Sequence, residues 1–414
     1  MPELLSTPRA AALYIGALLG PGLLLLPGLA ARLAGPASIL AWAGLLVLSA
    51  LFATVFTALG IRFGSRTGVA GYVAAGLGPR AGRAVSWCFV TGVVLGAPLV
   101  CLIGGGYVAA LFGGGRTLTV VLAVAMLVVV VALTAGGARA SVAVQFGLVV
   151  LLVGLIAIAV VGSSGHLRAD RWTPFAPHGW SAIGSAAAVL MLSFVGWEAI
   201  APMTGRLREP ARQLPRIIGI AFGVSATIYL ALAAATIGVL GQRAGGGAPL
   251  AALMEVAIGP AGRVVAAVAA VGLTLAAVNA YVSGAAEMLA GARPGTPVRA
   301  RLPLAIAAVG IVLLGLYALG RLSTARLVTL PTTLFLTVYL LCMLAASRLL
   351  RRARRIAAAL ALLVVAVVLG FCGWALAVAA GVGVIAFLLG RDEFRRNEPE
   401  PMRNPLLSRA GACG

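Results

Sequence analysis

The chain contains no lysine, two histidines, ten acidic residues and five cysteines in 414 residues. Charged residues make up 10% of it, well below the roughly quarter expected of a soluble chain. No stretch is polar enough and long enough to build a separate water-soluble domain. The cysteines (Cys88, Cys101, Cys342, Cys372 and Cys413) are scattered, with no CxxC pair and no Cys/His cluster. That spacing supports neither a disulfide framework nor a zinc site. No apolar run contains a histidine or an aspartate, so the chain lacks the constellations an intramembrane hydrolase needs and is not expected to be an enzyme. No cofactor motif occurs. Gly104-Gly105-Gly106 has no following Lys-Ser/Thr, which excludes a phosphate loop and leaves close helix packing as its expected role.

What fills the chain is hydrophobic sequence, 62% of all residues. Apolar runs of about 20 residues recur from end to end, the length needed to cross a lipid bilayer as a helix. The expected fold is an all-α polytopic membrane protein. Its twelve transmembrane helices are placed near 10–34, 37–61, 82–112, 117–135, 140–162, 181–204, 215–241, 261–289, 302–320, 325–346, 355–371 and 373–390. Residues 1–390 form one transmembrane domain and residues 391–414, rich in proline and charge, form a disordered tail. A cleaved signal peptide over the first run is not expected, since its removal would leave an odd set of helices.

All 31 basic residues are arginine, and the net charge is +21. No arginine patch is interleaved with aromatics, so nucleic acid is not the expected partner. The arginines instead orient the protein. With the N-terminus inside, 23 of the 31 fall in the cytoplasmic loops and tails, so both termini are expected in the cytoplasm. His166 and His178 then sit in an outer loop. Tyr107 and Trp172 are expected at the membrane interface.

Two of the expected spans carry helix breakers near their centres. The first reads Gly20-Pro21-Gly22, with Pro27-Gly28 beyond. The sixth reads Ser-Phe-Val-Gly-Trp-Glu from Ser193 to Glu198, followed by Pro202. Broken backbone inside a bilayer costs several kcal/mol per unsatisfied group unless it faces protein, water or a ligand. Glu198 is the acid nearest the middle of any span, and an ionisable group at that depth marks a functional site. The two spans are five helices apart and therefore run in opposite directions. This is the pattern of a five-plus-five inverted repeat, over about 10–162 and 181–346, with two extra helices at about 355–390. The breaks are expected to face each other at the midplane, where half-helix N–H groups suit a carboxylate.

These residues resemble the amino acid–polyamine–organocation (APC) superfamily of transporters. Gly20, Gly22 and Pro27 match its "G-x-G…P" pattern. "SRTGVAGYVAAGLGPRAGRAVSW" is similar to its first-loop segment, and "FVGWEAIAPMTGRLREPARQLPR" to its signature around the sixth span. Val338 to Leu350, "VYLLCMLAASRLL", is similar to the tenth span of the bacterial methionine and branched-chain amino acid exporters within the superfamily.

The resemblance implies a LeuT-like transporter of the bacterial inner membrane, moving small neutral amino acids by alternating access. Export is the expected direction, with proton- or sodium-coupled uptake as the alternative. It implies a substrate site at Gly20, Pro21, Gly22 and Leu23 and at Phe194, Val195, Gly196, Trp197 and Glu198. It is completed near Gly96–Cys101 and Ala276–Tyr281, with Asn279 as a candidate polar contact. Asn279 and Thr274 either line the pocket or bond between helices. Hydroxyls for a sodium site are few, which leaves H+ as the expected coupling ion, through Glu198 or through Glu287 as a gating acid. In span five, Gln145 is the strongly polar side chain. The chain departs from the family twice. Pro21 stands where Ser or Thr is usual, removing one N–H donor, and Arg206 and Glu209 alter the loop after span six.

Overall fold

The computed structural model describes residues 6–64, 68–136, 142–199, 204–292 and 298–388. The expected tail at 391–414, Pro202 and the loop positions Arg66, Arg139 and Arg293 lie outside them. Among the described residues the protein is all-helical, without strands. Its α-helices are α1 (Thr7–Leu18), α2 (Leu26–Ala34), α3 (Ser38–Phe63), α4 (Gly68–Leu77), α5 (Pro79–Leu111), α6 (Arg116–Ala135), α7 (Val142–Gly162) and α8 (Ala182–Leu190). They continue as α9 (Pro210–Ala235), α10 (Pro249–Ile258), α11 (Pro260–Ala292), α12 (Val298–Ala318), α13 (Thr324–Leu349), α14 (Ala353–Gly370) and α15 (Ala375–Leu388). Among the described residues nine helical stretches are long and apolar enough to cross a membrane. The protein is a polytopic membrane protein.

α5 organises the bundle. In its most apolar window 78% of residues are buried, against 22% in those of α6 and α7. It packs on α4, α6, α11, α12, α13 and α15. Its glycines permit this. A Cβ on Gly105 would stand 2.7 Å from the Thr119 carbonyl oxygen of α6, and one on Gly104 2.7 Å from Thr274 Oγ1 of α11. Close helix packing is therefore what the triple glycine provides, through van der Waals contact that replaces the missing hydrophobic drive between membrane helices.

Two short helices lie between the expected spans. α4 sits in the first basic loop and packs on α5 and α13; α10 follows span seven and packs on α7 and α11. Each has ten residues, too few to register as a crossing. Tyr107 corrects an expectation. It is fully buried rather than interfacial. Its hydroxyl donates to the Leu24 carbonyl at 2.6 Å and accepts from the Leu250 N–H, at the start of α10, at 3.2 Å. His166 and His178 are exposed, and the four described cysteines are buried free thiols.

Candidate functional site

α1 stops at Leu18 for a local reason. Pro21 has no N–H to give the Ala17 carbonyl, so the i to i−4 ladder fails there. Gly20 is extended (φ −79°, ψ 171°), a four-residue 3₁₀ turn runs from Pro21 to Leu24, and α2 then resumes. In the second broken stretch α8 ends at Leu190 and a 3₁₀ turn covers Met191–Phe194. Val195 is extended (ψ 137°), Gly196 takes φ +138°, and a further turn covers Trp197–Ala199.

The two interruptions touch. A Cβ on Gly196 would meet the Ala17 carbonyl oxygen at 2.4 Å, and one on Gly22 would meet Ser193 Oγ at 3.2 Å. Only glycine tolerates both the close approach and the positive φ at position 196. Tyr229 of α9 ties the pair together. Its hydroxyl lies 2.8 Å from the Leu18 carbonyl and 2.6 Å from the Ser193 carbonyl, sharing its proton between acceptors that the interruptions release. Behind it, the rings of Trp42, Phe194 and Tyr229 pack with centroids 5.0–5.8 Å apart. Trp197 is pinned by Nε1 donating to Ser49 Oγ at 3.1 Å.

Glu198 closes the second interruption on itself. Its Oε2 accepts the Gly196 N–H at 3.0 Å and the Tyr339 hydroxyl at 2.5 Å. The Gly196 N–H also reaches the Tyr339 oxygen at 3.0 Å. The Gly196 N–H freed by the interruption is thus taken up by the chain's own carboxylate. Glu198 nonetheless lines the larger of two adjoining cavities, of about 420 Å³, with Gly20, Pro21, Gly196, Gln145 and Glu287. That cavity reaches Gly68 and Val69 of α4 and Met288 of α11. The smaller chamber, about 60 Å³, is walled by Gly22, Gly92, Gly96, Val195, Val278 and Phe335. Gly20, Pro21 and Tyr281 line both. The opposite end of the bundle is held by the Tyr107 contacts and by Arg171, whose guanidinium donates to the Gly238 and Val239 carbonyls.

Of the expected site residues, Gly20, Pro21, Gly22, Val195, Gly196, Glu198 and Glu287 line these cavities. Leu23, Phe194 and Trp197 are buried behind them. Asn279 is buried on α11 and lines neither cavity. Thr274 bonds between helices, its hydroxyl 3.4 Å from the Val100 carbonyl. Glu209, in the altered loop, is exposed and pairs with Arg212 at 3.4 Å. Tyr229, Tyr339, Gly92 and Phe335 were not foreseen.

The family profile described as amino acid permease matches residues 5–294. The chain belongs to the amino acid permease family, within the APC superfamily. An uncharacterised amino acid permease of Bacillus subtilis is 31% identical over 91% of this chain and 93% of its own. An L-methionine/branched-chain amino acid exporter of Escherichia coli is 27% identical over 86% of this chain and 88% of its own. A branched-chain amino acid permease of B. subtilis is 26% identical over 55% of this chain and 53% of its own. These relatives of the permease are named for transport, not for an enzymatic reaction. The profile spans both helix interruptions and Glu287; Phe335 and Tyr339 lie beyond its last matched residue.

Proposed function

We propose that this permease is a secondary transporter of neutral aliphatic amino acids, working by alternating access as an exporter. The observation that carries the reading is the meeting of two interrupted helices around one pair of cavities, in a chain of the amino acid permease family. The larger cavity supplies polar groups for an amino acid's charged ends. The smaller is apolar apart from Tyr281 and backbone, suiting a methionine- or branched-chain-like side chain.

Twelve membrane crossings are proposed, with α1 through α2 as the first and α8 through the turns at 191–199 as the sixth. The proposed frame is an inverted repeat of two five-helix units. Placing the arginine-rich loops inside puts both termini in the cytoplasm of a bacterial plasma membrane. The larger cavity then opens inward, because Gly68, Val69 and Glu287 lie at the inner end. Glu198 is the proposed proton-coupling group. It lines that cavity and touches the backbone of the second interruption, so a change in its charge would be felt where the helix is broken. Export is favoured by the relative named an exporter, which matches over most of both chains.

The test is counterflow in proteoliposomes across the twenty amino acids. Saturable exchange of methionine, leucine, isoleucine or valine, stimulated by a pH gradient that favours outward movement, is expected. Exchange confined to charged amino acids would overturn the substrate assignment. Accumulation only in the inward direction would replace export by uptake.

A further inference from the structure

α13 and α14 both qualify as membrane spans, and only Leu350, Arg351 and Arg352 separate them. So short a connection cannot leave the membrane surface, so it lies at headgroup level. The connection and the helix ends beside it carry Arg348, Arg351, Arg352, Arg354 and Arg355, five arginines in eight positions without an acid. Arg62, at the end of α3, joins them by donating to the Leu349 carbonyl. All six are exposed, and the ion pairs among the described residues lie elsewhere, at Arg168, Arg212 and Arg263.

Orienting the protein requires a count of cations in the loop and nothing about their placement. The placement here is costly in two ways. Twelve described residues have positive φ; eleven are glycine and the twelfth is Arg352, at φ +52°. In a chain with 54 glycines, an arginine occupies the one positive-φ position, among the described residues, where a side chain is retained against its steric preference. Arg354 and Arg355 also stand in the first turn of α14, which has no acid, so they repel the positive end of the helix dipole. An anion over the turn relieves that repulsion. Directly below, Ile356, Leu360, Leu363 and Val367 form an apolar stripe at helical spacing, 49–62% exposed.

We propose that this turn is a binding site for the phosphate headgroup of an anionic phospholipid, whose acyl chains lie along the α14 stripe. The cations supply affinity for phosphate. The apolar stripe beneath them favours a lipid over free phosphate.

The experiment uses the full chain purified in neutral detergent. It is titrated with dihexanoyl phosphatidylglycerol, dihexanoyl phosphatidylcholine or inorganic phosphate, reading the thermal midpoint and the lipid retained in native mass spectrometry. Phosphatidylglycerol is expected to raise the midpoint and be retained, less so at high salt; phosphatidylcholine and inorganic phosphate are expected to do neither. Arg352→Gly relieves the left-handed backbone, so the lipid-free midpoint is expected to hold or rise while phosphatidylglycerol binds about fivefold more weakly. The fourfold Gln variant at Arg351, Arg352, Arg354 and Arg355 is expected to lose at least about 100-fold. Equal binding of both lipids, or parent-like binding of phosphatidylglycerol to Arg352→Gly, overturns the proposal. Stabilisation by inorganic phosphate alone, equal to that by phosphatidylglycerol, overturns the lipid assignment.

Discussion

The Tyr339 hydroxyl donates to Glu198 Oε2 at 2.5 Å, joining α13 to the second helix interruption across 141 residues. The Tyr339 ring packs against Phe52 and Phe56 at 4.9 and 5.9 Å, so its position does not depend on the hydroxyl. Tyr339→Phe therefore removes one donor and little packing. A hydrogen bond to a charged group contributes about 1.5–3 kcal/mol. Exchange in the variant is expected to fall by at least about tenfold, with a changed pH profile, while the folded fraction is preserved. Glu198→Gln keeps an acceptor for Tyr339 and removes the charge; its exchange is expected to lose dependence on pH between about 5 and 8. A Glu198→Gln variant with the parent's rate and pH profile would make Glu198 a structural cap and end its coupling role.

Gly196 tests whether contact between the interruptions is required. Gly196→Ala places a methyl 2.4 Å from the Ala17 carbonyl at φ +138°. The backbone strain alone costs about 1–3 kcal/mol, and the clash adds to it because neither backbone can yield separately. Lower yield, a lower thermal midpoint and no exchange are expected. A variant that folds and exchanges like the parent would show that the two stretches separate freely.

The breaks were legible because proline and glycine act locally: a missing N–H at Pro21 and a left-handed position at Gly196 need no distant partner. What holds the breaks was not. Tyr229 and Tyr339 sit in apolar runs, where a tyrosine is one more hydrophobic residue until its hydroxyl's partners are known. Those partners are 36, 211 and 141 residues away. Tyr107 lies near a span's end in sequence, and the partners of its buried hydroxyl are Leu24 and Leu250, the latter on α10, a helix too short to count as a span. Asn279 stood out by polarity. Polarity does not say which face of α11 it occupies, and Val278 and Tyr281, one turn apart, take the face toward the chamber.

The small chamber sets substrate size, on the proposed reading. Phe335 forms one wall and packs on Phe89 at 5.6 Å. Gly96 forms another, where an added Cβ would make ordinary contact with Pro331 at 3.5 Å. Gly96→Ala is thus expected to fold and to narrow the chamber by a methyl group. One methylene of misfit in an apolar pocket corresponds to about 10- to 200-fold in discrimination. Competition counterflow should show methionine and leucine losing at least about tenfold relative to alanine. Phe335→Leu is expected to shift preference the other way, admitting phenylalanine. Unchanged rank order in both variants would place the side-chain pocket elsewhere.

Pro21 lines both cavities. It opens the 3₁₀ turn, a position whose N–H would have no partner within that turn and would be available to a ligand. Two effects oppose each other. A donor to a charged carboxylate is worth about 1.5–3 kcal/mol, and a neutral one about 0.5–1.5 kcal/mol. A proline compatible with its backbone recovers about 0.4–1 kcal/mol by limiting the alternatives open to the turn. The donor effect is the larger, so Pro21→Ser is expected to tighten binding of the preferred neutral amino acid. For an exporter that gain is a handicap on the releasing side, where a tightly held substrate leaves slowly, so exchange is expected to slow as affinity rises. The dissociation constant and the counterflow rate, measured for parent and Pro21→Ser in the same nanodiscs, decide the matter. Tighter binding with slower exchange supports a site deliberately short of one carboxylate donor. Unchanged or weaker binding in a folded variant means that the carboxylate is held elsewhere and that Pro21 only shapes the turn.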